Sequence, residues 1–506
     1  MQSVFDTGPS DPCPNPFNMA AYVLNKAESE AEACAVSILS SDSTEDWTYG
    51  ALRDAVLGTG AGLLLAGCVP GDMILMRLGN TIDFPIAYLG ALAVGLVPVP
   101  TSAALTTPEV AHIVAELQPR IILRDPSVSS APGAPEIGLA TLRAMRDLPP
   151  ADWHMGDPDR LGYVIYTSGT SGLPRAVAHA HRAIWARRMM HDGWYGLKDH
   201  DRLMHAGAFN WTYTLGTGLM DPWTVGATAL IPVAGTPVSE LGGLLHKHKA
   251  TIFAAAPGVY RQMLGRSALP PTPHLRHGLS AGEKMPASTM TDWMAITATP
   301  IFEAYGMSEC STFISSSPTS PCDVRTLGRP QPGRRVAILG DDGPVEIGHP
   351  GVIAVHRSDP GLMRGYLFQE DETAARFQGD WFLTGDLGQM AQDGQITYLG
   401  RNDDMMNAGG YRVSPLEVEA ALAGAPGVTG AGVTQIEVKA GTRIIAAFYT
   451  SEAALDEDGL RAYVEPKLAR YKHPRAYVHI AELPTGANGK LLRRRLPLFW
   501  PRRPTH

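Results

Sequence analysis

Hydroxyl side chains and glycines are concentrated in one short segment, YTSGTSGLPRA (166–176). Glycine lets neighbouring backbone N–H groups converge on one anion, and Thr and Ser hydroxyls add further donors. The segment predicts a site for a phosphate-like anion. The alternative is an ordinary Ser/Thr/Gly turn, and the segment does not match the GxxxxGK[ST] spacing of a Walker loop. The residues expected at the anion are Thr167, Ser168, Gly169, Thr170, Ser171, Gly172 and Arg175.

A second segment, FEAYGMSE (302–309), offers three different chemistries within five residues. The face of Tyr305 can stack on a flat ring, and the Ser308 hydroxyl can donate to an anion. The Glu309 carboxylate is a suitable ligand for a hard cation such as Mg²⁺. Taken alone, a Tyr-Gly pair is most often a buried aromatic residue at a turn.

In each of two further segments, a charged residue directly follows a glycine. In WFLTGDLGQ (381–389), Asp386 could accept hydrogen bonds from two adjacent hydroxyls, or could simply be a turn residue after Gly385. In ELPTGANGKLLRRRL (482–496), Lys490 follows Gly489. By itself it would be one surface lysine among many.

In this order, the four segments resemble the adenylate-forming superfamily, which includes acyl-CoA synthetases, adenylation domains of peptide synthetases and luciferases. The family pattern of the first segment is YTSGTTGxPKG, and this chain departs from it at Arg175 and Ala176. The second and fourth segments are similar to the family's YGxTE and PxTxxGKxxR. The resemblance covers nearly the whole chain and is strongest to acyl-CoA ligases of the medium-chain and benzoate types.

The resemblance implies a role for each segment. The first would clamp the β- and γ-phosphates of ATP, Ser308 would touch the α-phosphate and Glu309 would hold Mg²⁺. Lys490 would act in catalysis together with Glu309 and Arg175. The implied adenine contacts are Gly282, Glu283, Glu303, Ala304 and Tyr305, the ribose contacts are Asp386 and Arg401, and the residues lining the CoA passage are Gly409 and Gly410.

The acid is expected to be compact. The resemblance places the acyl pocket at Phe209, Trp211, Gly306 and Met307, with Tyr213 as a further apolar candidate. Large aromatic walls favour an aromatic or a short to medium-chain acid over a long fatty acid. Simple core packing is the alternative for these side chains, and it is expected for at least half of them.

The resemblance implies that coenzyme A accepts the acyl group, with ATP, Mg²⁺ and a small carboxylic acid as the other reactants. A stand-alone enzyme that loads a carrier protein is an alternative. An inactive nucleotide-binding relative is another, because Arg175 replaces the family lysine, although arginine keeps the charge. A luciferase-type oxidase would share every motif. The protein is expected to be a monomer or a homodimer.

The elements that must position these residues follow from apolar runs and turns. LGYVIY (161–166) predicts a strand, and AVAHAHRAIWARRMM (176–190) predicts a helix whose N-terminus would face the anion loop. MILMRL (73–78), GATALIPV (226–233) and ATIFAAAP (250–257) predict further strands. The apolar run at 84–100 predicts a buried helix leading into a strand. Such alternation predicts a layered α/β fold.

A change of character near residue 400 predicts a second domain. The polar segment RNDDMMNAGGYRVSP (401–415) precedes LEVEAALAGA (416–425), which predicts a helix. We therefore expect a large N-terminal domain of layered β-sheets and helices over 1–400 and a small, mobile α+β domain over 405–506. The resemblance places a hinge at 401–404, with Asp403 as its pivot.

Composition excludes several partners. The chain has 506 residues and a net charge of -8, and its one dense basic run is Arg493–Arg495, so a nucleic acid is an unlikely ligand. Five cysteines without CxxC spacing fit a reducing compartment and argue against structural zinc. The N-terminus does not read as a leader, and no apolar run is long enough to cross a membrane. We therefore expect a cytoplasmic enzyme.

Overall fold

The chain forms two units that differ in size. The computed structural model describes residues 1–168, 174–266, 269–401, 404–408, 411–439, 442–468, 470–486 and 491–501. The larger unit comprises Val4–Val336 and Val355–Phe382, and the smaller unit comprises Met1–Ser3, Ala337–Ala354 and Leu383–His506.

Most strands are short, as expected where turns are frequent. In chain order they are β1 (Val4–Asp6), β2 (Cys34–Leu39), β3 (Thr44–Thr48), β4 (Met73–Arg77), β5 (Val97–Pro100), β6 (Ile121–Arg124), β7 (Glu136–Gly138), β8 (Leu161–Ser168), β9 (Pro174–Ala180), β10 (Arg202–His205), β11 (Thr228–Pro232), β12 (Ile252–Ala254), β13 (His277–Ala281), β14 (Ile301–Met307), β15 (Ser311–Ser315), β16 (Arg329–Pro330), β17 (Arg335–Gly340), β18 (Gly343–Pro344), β19 (Pro350–His356), β20 (Gly365–Tyr366), β21 (Phe377–Gln378), β22 (Trp381–Met390), β23 (Ile396–Arg401), β24 (Met406–Ala408), β25 (Tyr411–Val413), β26 (Gly430–Lys439), β27 (Thr442–Thr450) and β28 (Ala476–His479).

Helices alternate with the strands through most of the chain. They are α1 (Met19–Val23), α2 (Tyr49–Leu65), α3 (Asp83–Ala93), α4 (Thr107–Leu117), α5 (Leu139–Ala144), α6 (Ala183–Ala186), α7 (Arg188–Met190), α8 (Thr212–Leu215), α9 (Asp221–Val225), α10 (Val238–Lys247), α11 (Pro257–Arg266), α12 (Ala287–Thr297), α13 (Glu370–Ala374), α14 (Pro415–Ala423) and α15 (Glu457–Val464). Two π-helical turns, His191–Tyr195 and Gly216–Met220, follow α7 and join α8 to α9.

A nine-stranded sheet organises the larger unit. Its order is β16-β15-β14-β13-β12-β10-β11-β2-β3, and the six central strands run parallel. Central parallel strands are buried on both faces and therefore read as continuous apolar runs. This explains why GATALIPV and ATIFAAAP, which contain β11 and β12, were recognisable, and both predictions are confirmed.

A four-stranded parallel sheet, ordered β5-β4-β6-β7, contacts α3 and α5. The predicted strand MILMRL is β4, and the apolar run at 84–100 is α3 followed by β5. Every residue of α3 is buried, which its apolar composition requires. Both predictions are confirmed.

The helix predicted directly after the anion loop is wrong. Residues 174–180 form β9, which pairs antiparallel with β8 so that Tyr166 lies opposite Ala176, and α6 begins only at Ala183. The alanines of this stretch favour a helix locally, but the ladder to β8 and the burial of residues 176–180 override that preference. The loop therefore joins two strands, and no helix dipole contributes to an anion site there.

The smaller unit is α+β, as expected. Its sheet has the order β26-β27-β28, and α14 confirms the helix predicted from LEVEAALAGA. This unit also takes in 337–354 and 383–400, which the sequence analysis assigned to the N-terminal domain. The hinge stays a prediction, because Asp403 lies outside the described residues. Within the described part of the chain, no helix is both long and apolar enough to cross a bilayer.

Candidate active site

The predicted anion loop is only partly described. Gly169, Thr170, Ser171 and Gly172 lie outside the described residues. Thr167 and Ser168 end β8, and β9 begins at Pro174, so the loop is the connection of a β-hairpin. Arg175 follows on β9, opposite Thr167. The ladder between β8 and β9 thus fixes the backbone of Arg175 relative to that of Thr167.

Arg175 is held by two neighbours. Its guanidinium group forms an ion pair with Glu372 at 2.6 Å and stacks over the ring of Tyr366 at 5.1 Å from the ring centre. Tyr366 lies on β20, which pairs with β9, and Glu372 lies on α13. A planar guanidinium group can form both contacts at once, whereas an ammonium group cannot stack in this way. The residue in place of the family lysine is therefore fitted to its surroundings.

Tyr366 connects Arg175 to Glu309. Its hydroxyl donates to Glu309 Oε1 at 2.7 Å, and the backbone N–H of Met363 donates to the carbonyl of Glu309 at 2.7 Å. Burial, and then the negative charge of Glu309, raise the pKa of the Tyr366 phenol, so it remains a donor at neutral pH. The carboxylate of Glu309 is oriented by this hydrogen bond.

Glu309 suits a magnesium ion that is shared with a nucleotide. Its carboxylate is partly exposed, and Mg²⁺ commonly takes one or two protein carboxylates while phosphates and waters complete its shell. Among the described residues, no group of three or more His, Cys, Asp or Glu side chains could form a metal site by itself. The donor set fits a nucleotide-bound ion better than a site made by protein ligands alone.

Ser308 is positioned through its backbone. Nε2 of His179 lies 2.7 Å from the carbonyl oxygen of Ser308, and His179 is 2% exposed. The ring of Tyr163 stacks on His179 with the centres 4.9 Å apart. Burial lowers the pKa of His179 to about 4, so the ring is neutral at physiological pH. A neutral histidine on β9 thus fixes the segment that contains Ser308 and Glu309.

Gly282 and Trp211 are brought together. Gly282 has a φ of +96°, and a Cβ atom there would come within 2.9 Å of Trp211 Cζ2. Both the left-handed backbone and the close approach require glycine. This contact links an adenine candidate to an acyl-pocket candidate, which is the arrangement needed if the two ligand groups lie side by side.

Glu303 has a different surrounding from its neighbours. It is 3% exposed, forms an ion pair with Lys284 and accepts a hydrogen bond from the backbone of Met285 at 2.9 Å. Both carboxylate oxygens are therefore engaged inside the protein. The geometry supports a structural role for the Glu303 side chain, which anchors the segment after Gly282 and Glu283.

The remaining adenine candidates lie on β14. Ala304 is buried in the apolar core, so only its backbone is available to a ligand. Tyr305 is partly exposed, with its ring 5.3 Å from that of Phe313 in an edge-to-face arrangement.

Two acyl-pocket candidates differ in burial. Phe209 is 1% exposed and packs against Phe84 in the core, as the alternative of simple packing predicted. Trp211 is half-buried, and its ring meets that of Tyr213 edge-on at 5.4 Å. Met307 is also partly exposed.

Gly306 is required by the turn between β14 and β15. A Cβ atom at this position would lie 2.1 Å from the carbonyl oxygen of Ser311, which is backbone and cannot move aside. The glycine therefore lets the two strands approach closely directly before Ser308 and Glu309.

The ribose candidates of the smaller unit lie side by side. Asp386 on β22 is opposite Arg401 on β23, with Arg401 Nε 3.5 Å from Asp386 Oδ1. The Tyr398 hydroxyl donates to the same oxygen at 3.4 Å. Asp386 is 7% exposed. The two donors hold its carboxylate in one orientation.

Four further candidates fall outside the described residues: Asp403, Gly409, Gly410 and Lys490. Their roles stay predictions. Sequence reasoning missed Tyr366, Glu372 and His179, which contact the predicted residues. No local pattern distinguished them, because each acts through a pairing between segments that are far apart in the chain.

Comparison with known proteins agrees with the fold and the motif order. Residues 24–367 match the model of the AMP-binding enzyme family, and residues 417–490 match the AMP-binding enzyme C-terminal domain. A benzoate–CoA ligase of Thauera aromatica is 30% identical over 90% of this chain and 91% of its own. A 3-hydroxybenzoate–CoA ligase of Aromatoleum sp. (strain CIB) is 28% identical over 89% of this chain and 91% of its own.

A solved structure supports the same relationship. The benzoate CoA ligase from Burkholderia xenovorans LB400 superposes with a TM-score of 0.85 at 27% identity, over 95% of this chain and 100% of that one. The family model alone matches more than half of the chain. The protein belongs to the AMP-binding enzyme family.

Proposed function

We propose that this protein is an AMP-forming acyl-CoA synthetase. A carboxylate oxygen of the acid attacks the α-phosphorus of ATP, the bond to the β-phosphate oxygen breaks, and pyrophosphate leaves. The sulfur of coenzyme A then attacks the acyl carbon, the bond to AMP breaks, and the thiol proton passes to solvent. Products are acyl-CoA and AMP.

One observation supports the proposal most strongly: the contacts from Glu372 through Arg175 and Tyr366 to Glu309. They keep one cation and one oriented carboxylate beside Ser308, which suits a substrate with a run of phosphates. Mg²⁺, when bound, would neutralise phosphate charge. Arg175 would hold the departing pyrophosphate, and Lys490 would offset charge as the acid attacks.

We propose a compact acid, aromatic or of short to medium chain. Two close contacts support a small pocket. The ring of Trp211 lies against Gly282, and Gly306 allows β14 and β15 to approach each other closely. The two curated relatives compared above are, by name, ligases for benzoate and 3-hydroxybenzoate. An aromatic acid is therefore the first to test.

We also expect a cytoplasmic protein, as a monomer or homodimer. All five cysteines are free, as is usual where the compartment is reducing. Gel filtration with light scattering checks the oligomeric state.

The test is a panel of carboxylic acids incubated with ATP and Mg²⁺, with and without coenzyme A. Acid-dependent AMP release that needs CoA supports the proposal, whereas release only with a phosphopantetheine carrier protein would favour the carrier-loading alternative. Absence of acid-dependent turnover with every acid would contradict both. Lys490→Ala should abolish acyl-AMP formation yet spare thioester formation from supplied acyl-AMP.

A further inference from the structure

A small internal cavity of about 20 Å³ lies beside the candidate acyl site. Ser308 lines it, and so does Thr212, which stands between Trp211 and Tyr213 in the chain. Polar side chains from several elements face the same space: Tyr88, His179, Arg187, Thr212, Ser308 and Ser311. A polar cavity at this place differs from the purely apolar end of a pocket for an unsubstituted ring.

Two polar atoms at the cavity have no hydrogen-bond partner among the described residues. These are the hydroxyl of Tyr88 and Nδ1 of His179. Tyr88 is 0% exposed and His179 is 2% exposed. Leaving a buried polar group unpaired destabilises the folded state, so native proteins rarely do so without a reason. The two atoms point to a polar group that the cavity receives.

The partner of His179 fixes what kind of group this is. Its Nε2 lies 2.7 Å from the Ser308 carbonyl oxygen, which can only accept, so Nε2 carries the hydrogen. Because burial lowers the pKa of His179 to about 4, the ring is neutral and Nδ1 is an acceptor. The missing partner must therefore donate a hydrogen bond.

Charge and size restrict the group further. Arg187 is paired with Asp221 at 2.6 Å and also donates to Tyr195 and Ser311, so among the described residues that line the cavity there is no uncompensated cation. A second carboxylate would lack a counter-ion. A volume of about 20 Å³ holds roughly one water-sized group. One heavy atom with a hydrogen to donate satisfies both limits.

The backbone around the cavity is irregular in two places. Ser311 has a φ of 62°, which is uncommon for a residue with a side chain. Two residues that line the cavity are Leu215, which ends α8, and Met220, which ends the π-helical turn that follows it. Strained residues and π-helical turns are enriched at functional sites.

We infer that this cavity receives a single hydroxyl or primary amino substituent of the acid, which donates to His179 Nδ1 and contacts the Tyr88 hydroxyl. The inference rests on the proposed function and narrows its substrate class to hydroxy- or amino-substituted acids. Methoxy and chloro groups cannot donate, and nitro and carboxylate groups exceed the volume.

The experiment compares kcat/KM for acid-dependent AMP release across benzoate, its monohydroxy and monoamino isomers, and the matching methoxy and chloro compounds. At least one hydroxy or amino acid should exceed benzoate and its own methoxy and chloro counterparts by about tenfold or more, because a site built around a donor discriminates against analogues that lack it. Tyr88→Phe should reduce that ratio by about fivefold or more.

Tyr49→Phe is the matched control. The Tyr49 hydroxyl is buried and donates to the Ala227 carbonyl at 2.7 Å, away from the residues that line the cavity, so its loss should leave the ratio unchanged. Thr212→Val removes a hydroxyl from the cavity wall with little change of volume and gives a second test if Tyr88→Phe is poorly folded.

Preference for benzoate or a chlorobenzoate, or an unaltered ratio in both cavity variants, would overturn the inference and mark the cavity as a site for structural water. Each of these results can be observed only if the enzyme activates at least one acid. A panel in which no acid is activated would instead contradict the proposed function, so the two failures are distinguishable.

Discussion

Arg175 is on β9 and Glu309 is in the turn between β14 and β15, yet one tyrosine contacts both. The guanidinium group lies over the ring of Tyr366, and the hydroxyl of that ring donates to the carboxylate. Glu372 balances the charge of Arg175 on the other side. Arginine in place of the family lysine is thus accompanied by the ring of Tyr366 and the carboxylate of Glu372, which a planar cation can contact at the same time. At the residue scale, Tyr366 is a positioning residue for Glu309.

Tyr366→Phe should weaken the hold on Mg²⁺. Loss of the hydrogen bond leaves Glu309 free to rotate, and a hydrogen bond to a charged group contributes about 1.5–3 kcal/mol when buried and less when partly exposed. We expect the Mg²⁺ concentration for half-maximal ATP–pyrophosphate exchange to rise about tenfold, with the maximal rate largely recovered at high Mg²⁺.

Binding of Mn²⁺ with ATP, followed by electron paramagnetic resonance, checks the same prediction without turnover. Tyr449→Phe, which removes a hydroxyl that donates to the Leu455 carbonyl in the smaller unit, is the control and should bind Mn²⁺ normally. An unchanged metal requirement in Tyr366→Phe would show that Glu309 needs no such support.

At the element scale, the β14–β15 hairpin determines where Ser308 and Glu309 lie. Gly306→Ala would place a methyl group 2.1 Å from the Ser311 carbonyl oxygen, so the hairpin must shift. We expect a loss of about 1–3 kcal/mol in the free energy of unfolding, as for other forced backbone movements, and strongly reduced ATP–pyrophosphate exchange.

Gly243→Ala is the matching glycine control. Gly243 lies in α10, and an added Cβ would meet no atom within 4 Å. Alanine is favoured over glycine in a helix by about 1 kcal/mol, so this variant should melt at the same or a higher temperature. Equal destabilisation of both variants would mean that the close approach at Gly306 is not the cause.

Central elements could be predicted from the sequence, whereas the β8–β9 hairpin could not. The apolar runs of β4, β11 and α3 specify burial directly, because a parallel strand or a core helix has no polar face. The alanine-containing stretch at 174–180 is compatible with a helix locally, and it forms a strand because it pairs with β8. The same hairpin places His179 against Ser308, which the sequence could not predict either.

At the scale of the whole molecule, four buried histidines make the fold sensitive to acid. Burial lowers the pKa to about 4 for His179 and His277 and to about 3 for His181 and His205, whereas an unfolded histidine titrates near 6.5. Below about pH 6.5 the unfolded chain therefore binds more protons than the folded one. As the pH decreases below 6.5, the free energy of unfolding therefore decreases by about 1.4 kcal/mol per pH unit for each of these histidines.

Denaturant unfolding at pH 7, 6 and 5 measures this dependence. The midpoint should fall steeply below pH 6.5, and His205→Asn should make the fall shallower by about 1.4 kcal/mol per pH unit in the same window. A pH dependence that is identical with and without His205 would show that the imidazole is protonated as readily in the folded protein as in the unfolded one.

Motif order allowed the family and the reaction class to be predicted before the structure, because each motif is local in sequence. The contacts that tune the site were not predictable, since Tyr366, Glu372 and Tyr88 reach it from segments far from any motif. By its contacts the smaller unit also includes β23 and most of β22, which begin before the polar segment at 401–415, and the boundary at 401–404 stays a prediction.

The central claim is that the acid is activated as an acyl-AMP, and oxygen isotopes test it most directly. The purified protein is given an aromatic acid with both carboxylate oxygens labelled with oxygen-18, together with ATP, Mg²⁺ and coenzyme A. If the carboxylate attacks the α-phosphorus, the AMP released must carry one labelled oxygen and the thioester must keep the other. Unlabelled AMP, or label in inorganic phosphate, would contradict the account.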